Sequence, residues 1–480
     1  MRKVLLPAAV LALLAAGVVA AAGGGTSSTP TYYRDVAPIL DSKCASCHRL
    51  GGIAPFSLAT AADAKAHADG IVRLTKAGLM PPWMPGPDSA PIIGRDHRRL
   101  TAEQLATLAR WSAAGAPAGN PADRHSRPSA GAGLTGPGTT ITLQPPRAYV
   151  PHAAGGGIDD YHCFLLDPKL RSDMFVTGAL IQPQRTGIVH HVILFEASGD
   201  NAIEARRLNA ASGGRGWTCF GGPGLTETRA STGNLASDRL GSPQWISAWV
   251  PGHTTNDLPA GTGVLLHKDA VIVMQVHYNL MHPMKGMRMD DRSKAVLKIV
   301  PAAGSSLTPL NTFLAPAPVE LPCPAGVKSP LCSRDRAYKD EVRKYGQDAA
   351  FISVGLLFLC HKTVVEATGS TTSCDRTFNR AVRIYGVAGH MHLRGVDIRI
   401  ELNPGTPRAM TLLHIPNWDF HWQDAYYLTQ PVDAELGDTV RVTCSFDNSG
   451  KRAKIPPRYV LWGEGTTDEM CLGLLQIASR

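Results

Sequence analysis

Beyond Val19 the 480-residue chain has no long apolar run, which excludes a bundle of membrane-spanning helices. It also lacks any Lys/Arg-rich block. Its 48 basic residues are scattered among 39 acidic ones, and a net charge of +9 spread in this way argues against a nucleic-acid partner. Aromatic residues are few, at 6%, and charged ones reach only 18%, yet the hydrophobic share of 44% is enough for packed cores and excludes a disordered chain. What is plentiful is Gly (48) and Pro (36), the punctuation of turns between short strands, so the balance weighs against an all-helical fold. The length suggests about three domains.

The one apolar run is at the start. Arg2 and Lys3 precede the stretch from Val4 to Val19, and the small residues Ala20, Ala21 and Ala22 follow. A charged start, a short apolar core and a small-residue cleavage site describe a signal peptide over 1–22, removed to leave no membrane anchor. The protein is therefore expected to be exported, periplasmic or secreted, where cysteines oxidise.

Composition then divides the chain. From 31 to 116 it reads as helical, with candidates Tyr33–Ser46, Ala61–Ala77 and Thr101–Ala114, the last opening on a Thr-x-x-Gln capping box. A Pro/Gly-rich linker is expected over 117–148. After it come short β-branched and aromatic runs, among them Ile188–Phe195, Ala270–Tyr278, Val382–Val387, Ile398–Leu402 and Thr439–Phe446. These predict an all-β region too long for one sandwich, divided into 149–305 and 306–480.

In the helical zone Cys44, Cys47 and His48 form a C-x-x-C-H motif. Two thiols at this spacing can add to the vinyl groups of a haem, and the adjacent imidazole then reaches the iron. A zinc half-site would need a second Cys or His pair, and a redox dithiol a βαβ setting; neither is present in the zone. The second axial ligand is expected from a Pro-rich loop, with Met80 favoured and Met84 as competitor. The zone resembles a monohaem cytochrome c domain, which implies a small all-α fold and one covalently bound haem c.

The β region holds the adjacent pair His190 and His191, then His277, the pair His390 and His392, and Met470. Residues at i and i+2 of a strand face the same side, so His390 and His392 can share one metal. His190 and His191 would face opposite sides of a regular strand and can share an ion only at a bend or bulge. Imidazoles with a thioether and without carboxylates favour copper.

The segments around these residues, Val189–Ile193, Gln275–Tyr278, Gly389–His392 and Asp468–Cys471, occur in the order found in the type II copper, ascorbate-dependent monooxygenases, and from about Asp159 to Ile477 the chain resembles that family. The resemblance implies two jelly-roll-like β-sandwiches and two copper ions. His190, His191 and His277 would hold the electron-transfer copper, and His390, His392 and Met470 would be the catalytic set, holding the copper at which dioxygen attacks a substrate C–H bond. It also implies the disulfides Cys163–Cys219 and Cys444–Cys471, which leaves Cys323–Cys332 and Cys360–Cys374. Peptide-amidating members carry polar peptide-gripping residues where this chain has Ala388, Leu472 and Leu474, so a less polar small organic substrate is expected. The segment Ile415–Gln423 offers pocket aromatics and His421, with burial in the sandwich the stronger reading. No role is assigned to the region 301–376, which has no clear counterpart in the animal enzymes. Electrons are expected from the haem unit to the copper of the first sandwich, in place of or relayed from ascorbate or a redox protein. The competing expectations are a non-catalytic copper-binding protein and an electron-transfer module.

Overall fold

The computed structural model describes residues 28–45, 47–49, 54–94, 99–124, 134–153, 157–225, 244–250, 256–281 and 288–480. The expected leader, 1–22, lies outside the described residues.

The N-terminal zone is helical. After a turn at Tyr32–Val36 come α1 (Ala37–Lys43), α2 (Ala61–Ala66), α3 (Ala68–Lys76) and α4 (Ala102–Ala113). The expected Ala61–Ala77 helix is broken at His67, whose own ψ of 11° leaves the helical region. The capping box of α4 is present. Thr101 Oγ1 accepts from Gln104 N at 3.2 Å, and Gln104 Oε1 accepts from Thr101 N at 3.0 Å. Tyr32, Val36, Leu40, Leu58, Leu108 and Trp111 form one small core between these elements.

Two β-sandwich units follow. In the first, β1 (Thr139–Leu143), β10 (Lys294–Pro301), β3 (Met174–Gln182), β8 (Thr262–Leu266) and the short β11 (Thr308–Pro309) form one sheet, with β7 (Asn256–Asp257) beside β3. The facing sheet runs β5 (Trp217–Thr218), β2 (Asp159–Leu166), β9 (Val271–Asn279), β4 (Val189–Ala197), β6 (Trp245–Trp249). Strand β1 arises from the stretch whose composition reads as linker; Thr139 to Leu143 pair antiparallel with Ile299 to Ala295 at the sheet edge. Strand β9 is buried on both faces, because α5 (Gly199–Ala211) covers its outer side with Ala202 and Ala205 against Val271 and Val273. That is why its sequence is a continuous apolar run rather than an alternation.

The second unit pairs the sheet β12 (Asn311–Pro316), β21 (Leu472–Ser479), β15 (Val382–His390), β18 (Ala425–Ala434) with the sheet β14 (Thr371–Thr377), β19 (Thr439–Phe446), β16 (Gly395–Leu402), β17 (Met410–Ile415). Here β19 alternates strictly, with Val440, Val442 and Cys444 turned inward, as expected of a strand with one solvated face. The region 301–376, assigned no role from sequence, contributes to the second sandwich and its surroundings. It supplies β12 and the short β13 (Glu320–Leu321), then a helical hairpin of α6 (Arg334–Tyr345) and α7 (Gln347–Leu359), with the short α8 (Val364–Ala367) behind it.

The helical zone is joined to the second sandwich by the stretch 83–93, which lies across β17 and β18. Gly86 N donates to His414 O at 2.6 Å, Ala90 N to Thr411 O at 3.0 Å and Ile93 N to Tyr427 O at 2.9 Å. Asp88 is within 2.8 Å of both His414 Nδ1 and Arg399 Nη2.

Candidate metal centre

The two sandwiches meet where the sequence-derived ligands lie. Strand β4 pairs with β9 in a register that shifts between Val189 and His191. This bulge breaks the alternation that would send adjacent side chains to opposite faces. His190 Nδ1 and His191 Nδ1 come within 3.3 Å, and His191 stands opposite His277 on β9. One ligand atom from each of His190, His191 and His277 lies within 4.8 Å of the others.

The remaining contacts orient the rings. His277 Nε2 is 2.8 Å from Asp159 Oδ1, leaving a buried Nδ1 without a hydrogen-bond partner to face its neighbours. Asp159 in turn accepts from Thr466 Oγ1 at 2.6 Å and Thr466 N at 2.9 Å, so it ties the first cluster to the loop that carries Met470. A carboxylate behind an imidazole fixes the tautomer and raises its basicity as a ligand. His190 is stacked on Phe420 of the second sandwich, ring centroids 4.2 Å apart.

The second cluster differs from the expectation in one respect. Strand β15 ends at His390, so His392 lies in the following turn rather than on the strand. The two rings still adjoin, with centroids 5.2 Å apart. His390 Nδ1 is held 2.6 Å from Gln423 Oε1, which leaves Nε2 for a ligand, and His392 has a buried Nδ1 without a partner. Glu469, wholly buried, accepts the backbone N–H groups of His392 (2.8 Å), Arg394 (2.5 Å) and Met470 (3.2 Å). One carboxylate thus sets the backbone at two of the three candidate ligands. The Cys444–Cys471 disulfide anchors the residue after Met470 to β19, and the other pairs are Cys163–Cys219, Cys323–Cys332 and Cys360–Cys374.

Burial dominates the electrostatics. It holds the rings of His190, His191 and His392 well below the ordinary imidazole range, and takes His390 down to about 4. Rings that stay neutral keep lone pairs for a metal. Burial also raises Glu469 to about 7 despite the three N–H donors.

The clusters are neighbours, with His191 and His390 centroids 6.2 Å apart, and both open on one cavity of about 280 Å³ whose wall includes Met470. Neutral imidazoles with orphaned nitrogens, a thioether on the wall and carboxylates held behind the ligands suit two copper ions. Residues 355–476 match the copper type II ascorbate-dependent monooxygenase, C-terminal domain. The matched stretch contains His390, His392 and Met470, and it supports the family resemblance of the second sandwich. No curated protein matches the chain. Among solved structures, the major capsid protein P2 from bacteriophage PM2 is 7% identical over 71% of this chain and 97% of that one, with a TM-score of 0.25. Oxalate decarboxylase from Bacillus subtilis is 7% identical over 74% and 78%, with a TM-score of 0.13. Scores this low carry no argument.

Of the aromatic segment Ile415–Gln423, Trp418 and Trp422 are buried in the sandwich, while His421 is exposed and turned to Asp419. Phe420 and Gln423 reach imidazoles of the clusters, and Trp418 Nε1 donates to the His392 carbonyl at 3.2 Å. Asp159, Glu469 and Gln423 were not assigned roles from sequence; Glu469 stood inside a motif already singled out, next to Met470.

In the helical zone, Cys44 and Cys47 take part in no disulfide, whereas the other eight cysteines all do. Burial pushes the Cys44 thiol up to about 12, opposite to the lowered thiol of a redox dithiol. His48 Nδ1 lies 3.2 Å from the Phe56 carbonyl, leaving Nε2 for an axial bond. Met84 is buried in the second sandwich's core with Ile92, while Met80 is 37% exposed. Two thiols outside the disulfides and an imidazole with Nε2 left over are residues that fit a covalently attached haem.

Proposed function

We propose that the chain is an exported copper-dependent monooxygenase that hydroxylates a C–H bond of a small organic molecule with dioxygen. The observation that carries this reading is that His191, one member of a three-imidazole cluster, lines the same cavity as His390 and Met470, with the His191 and His390 rings 6.2 Å apart. His190, His191 and His277 would hold the first copper, oriented by Asp159. His390, His392 and Met470 would hold the second, oriented by Gln423 and Glu469. Bound copper would supply the single-electron chemistry that dioxygen reduction needs. The chain's own part is to keep His190, His191, His390 and His392 unprotonated, fix the directions of the ligands and enclose substrate away from bulk water.

Four disulfides suit an oxidising compartment, and among the described residues no helix is long and apolar enough to cross a membrane. The proposed haem c, bound by Cys44, Cys47, His48 and Met80, would pass electrons inward, itself reduced by ascorbate or a redox protein. The docking of 83–93 supports entry through the second sandwich, where the sequence reading expects the first. Trp83 meets Tyr426 edge-on at 5.6 Å, and Tyr426 lines the cavity beside Gln423, the partner of His390.

The test is metal content and oxygen uptake of the purified, copper-loaded protein with a reductant present. Two coppers and one haem per chain are expected, with Met470→Ala losing oxygen uptake and keeping the first copper. Iron without stoichiometric copper would end the monooxygenase reading.

A further inference from the structure

The helical hairpin of α6 and α7 contributes none of the six proposed ligands, yet it reaches the cavity. Ile352 and Leu356, one turn apart on α7, form part of the cavity wall. The hairpin also spans the seam between the sandwiches. The Tyr345 ring at the end of α6 packs 5.2 Å from Phe220 of the first sandwich, and its hydroxyl lies where a Cβ on Gly465 of the second would stand. Ile352 Cδ1 comes within 3.3 Å of the Cβ position of Gly221.

The hairpin is held firmly. Cys323–Cys332 closes the chain just before α6, and Cys360–Cys374 ties the residue after α7 to β14. Arg334 Nε donates to the buried Glu320 at 2.9 Å. A wall pinned at both ends adapts little to its ligand, so it discriminates by size.

The chemistry of the lining points the same way. Among the described residues lining the cavity there is no Lys or Arg, while Asp424 and Glu464 bring carboxyl groups. An anionic ligand would lose its hydration without finding a cationic side chain. Leu472, Leu474 and Trp462 complete an apolar surface.

We propose that the α6–α7 hairpin is the specificity wall of the cavity, with Ile352 and Leu356 as size-determining residues, and that the ligand is a neutral, apolar molecule of about the bulk of a substituted arene. This deepens the monooxygenase reading and rests on it for what becomes of the ligand.

The test is a displacement titration on the full chain loaded with copper(I) under argon, where no turnover occurs and the soft ion has little affinity for carboxylate, with copper counted on the same samples. N-phenyl-1-naphthylamine is the fluorescent probe, and toluene, naphthalene and 2-naphthoate are the competitors. Naphthalene should displace the probe at least about tenfold more tightly than 2-naphthoate. Ile352→Phe should weaken naphthalene about tenfold while sparing toluene, and Leu356→Ala should relax that size limit. An unchanged melting temperature and copper count keep a folding defect apart from a change of wall.

Equal affinity for naphthalene and 2-naphthoate, or size selectivity unmoved by both variants, overturns the proposal. So does loss of probe binding in Phe358→Ser, since Phe358 is 78% exposed on the outer face of α7. Selective arene binding without stoichiometric copper would keep this inference and end the monooxygenase reading; two coppers without arene selectivity would do the reverse.

Discussion

The two ligand clusters are built from opposite materials. The first comes from two central strands, β4 and β9, paired residue to residue, and its geometry follows from a single bulge at His190. The second comes from a strand end, a turn and a loop, none of which would hold its shape alone. The difference shows in what stands behind them. His277 has one carboxylate, Asp159, touching the ring itself. The second cluster has Glu469, which touches no ligand ring and instead collects the backbone N–H groups of His392, Arg394 and Met470. A rigid pair of strands needs only its side chains aimed. A junction of loops needs its backbone fixed first, and buried N–H groups without sheet partners supply the need for an acceptor.

The largest effect is therefore expected at Glu469. Glu469→Ala strips an acceptor from three buried N–H groups at a cost of about 1–3 kcal/mol each when left unsatisfied. The copper-free protein should lose several kcal/mol in denaturant unfolding, and the second copper should be lost while the first is retained. If Glu469→Ala unfolds with wild-type midpoint and binds two coppers, the second junction is held by something else.

Next in size is a pH effect at the seam. Burial raises the Glu464 carboxyl from 4.5 to about 7. A folded-state pKa above the unfolded one means that the group's stabilising contribution is complete below about pH 4.5 and is lost as pH rises through about 7. Over that interval the difference is on the order of 3 kcal/mol at 1.36 kcal/mol per unit. Glu464→Gln removes the penalty of ionisation, so thermal melts should show the variant more stable than wild type at pH 8 and level with it near pH 5. A variant less stable at both would show that the carboxyl is needed for its bond to Gly221 rather than penalised by its charge.

The same contrast explains how much could be read in advance. The short β-branched runs marked the central strands, because apolar periodicity is local. The residue types of the six proposed ligands are visible in the sequence, but the geometry that joins His190 to His191 is not: adjacent strand residues diverge, and the bulge that reunites them has no signature in Val189–Ile193. Asp159 carries no signal of its role because its partners, His277 and Thr466, are distant in sequence, and an Asp at a strand start reads as an ordinary polar end. Glu469 lay inside a motif that resembles a known family, yet its work is done through backbone groups, which every residue carries. The edge strand Thr139–Leu143 and the docking stretch 83–93 were hidden by Pro and Gly, whose density signals a turn or linker and says nothing of what the backbone between them pairs with.

The remaining prediction asks whether the clusters are independent. The Asp159 side chain is only 3% exposed; its Oδ1 meets both His277 Nε2 and Thr466 Oγ1, and its Oδ2 accepts from Thr466 N. Asp159→Asn keeps one acceptor and turns the second into a donor, which leaves either the His277 ring or the Thr466 N–H without its partner. Loss of a carboxylate behind a metal-binding imidazole commonly costs about tenfold to hundredfold in affinity, smaller than the effects above. Competition with a copper(I) chelator should therefore show the first copper weakened by that factor. The second copper is the discriminating readout. If it is weakened too, the Asp159–Thr466 link carries strain from one cluster into the Met470 loop, and the two sites act as one unit across the seam. If only the first is weakened, Glu469 isolates the second, and the contrast between a centre built on strands and a centre built on loops is complete. Two unchanged affinities would mean that the bulge at His190 alone sets the first cluster, and that Asp159 serves only to hold the sandwiches together.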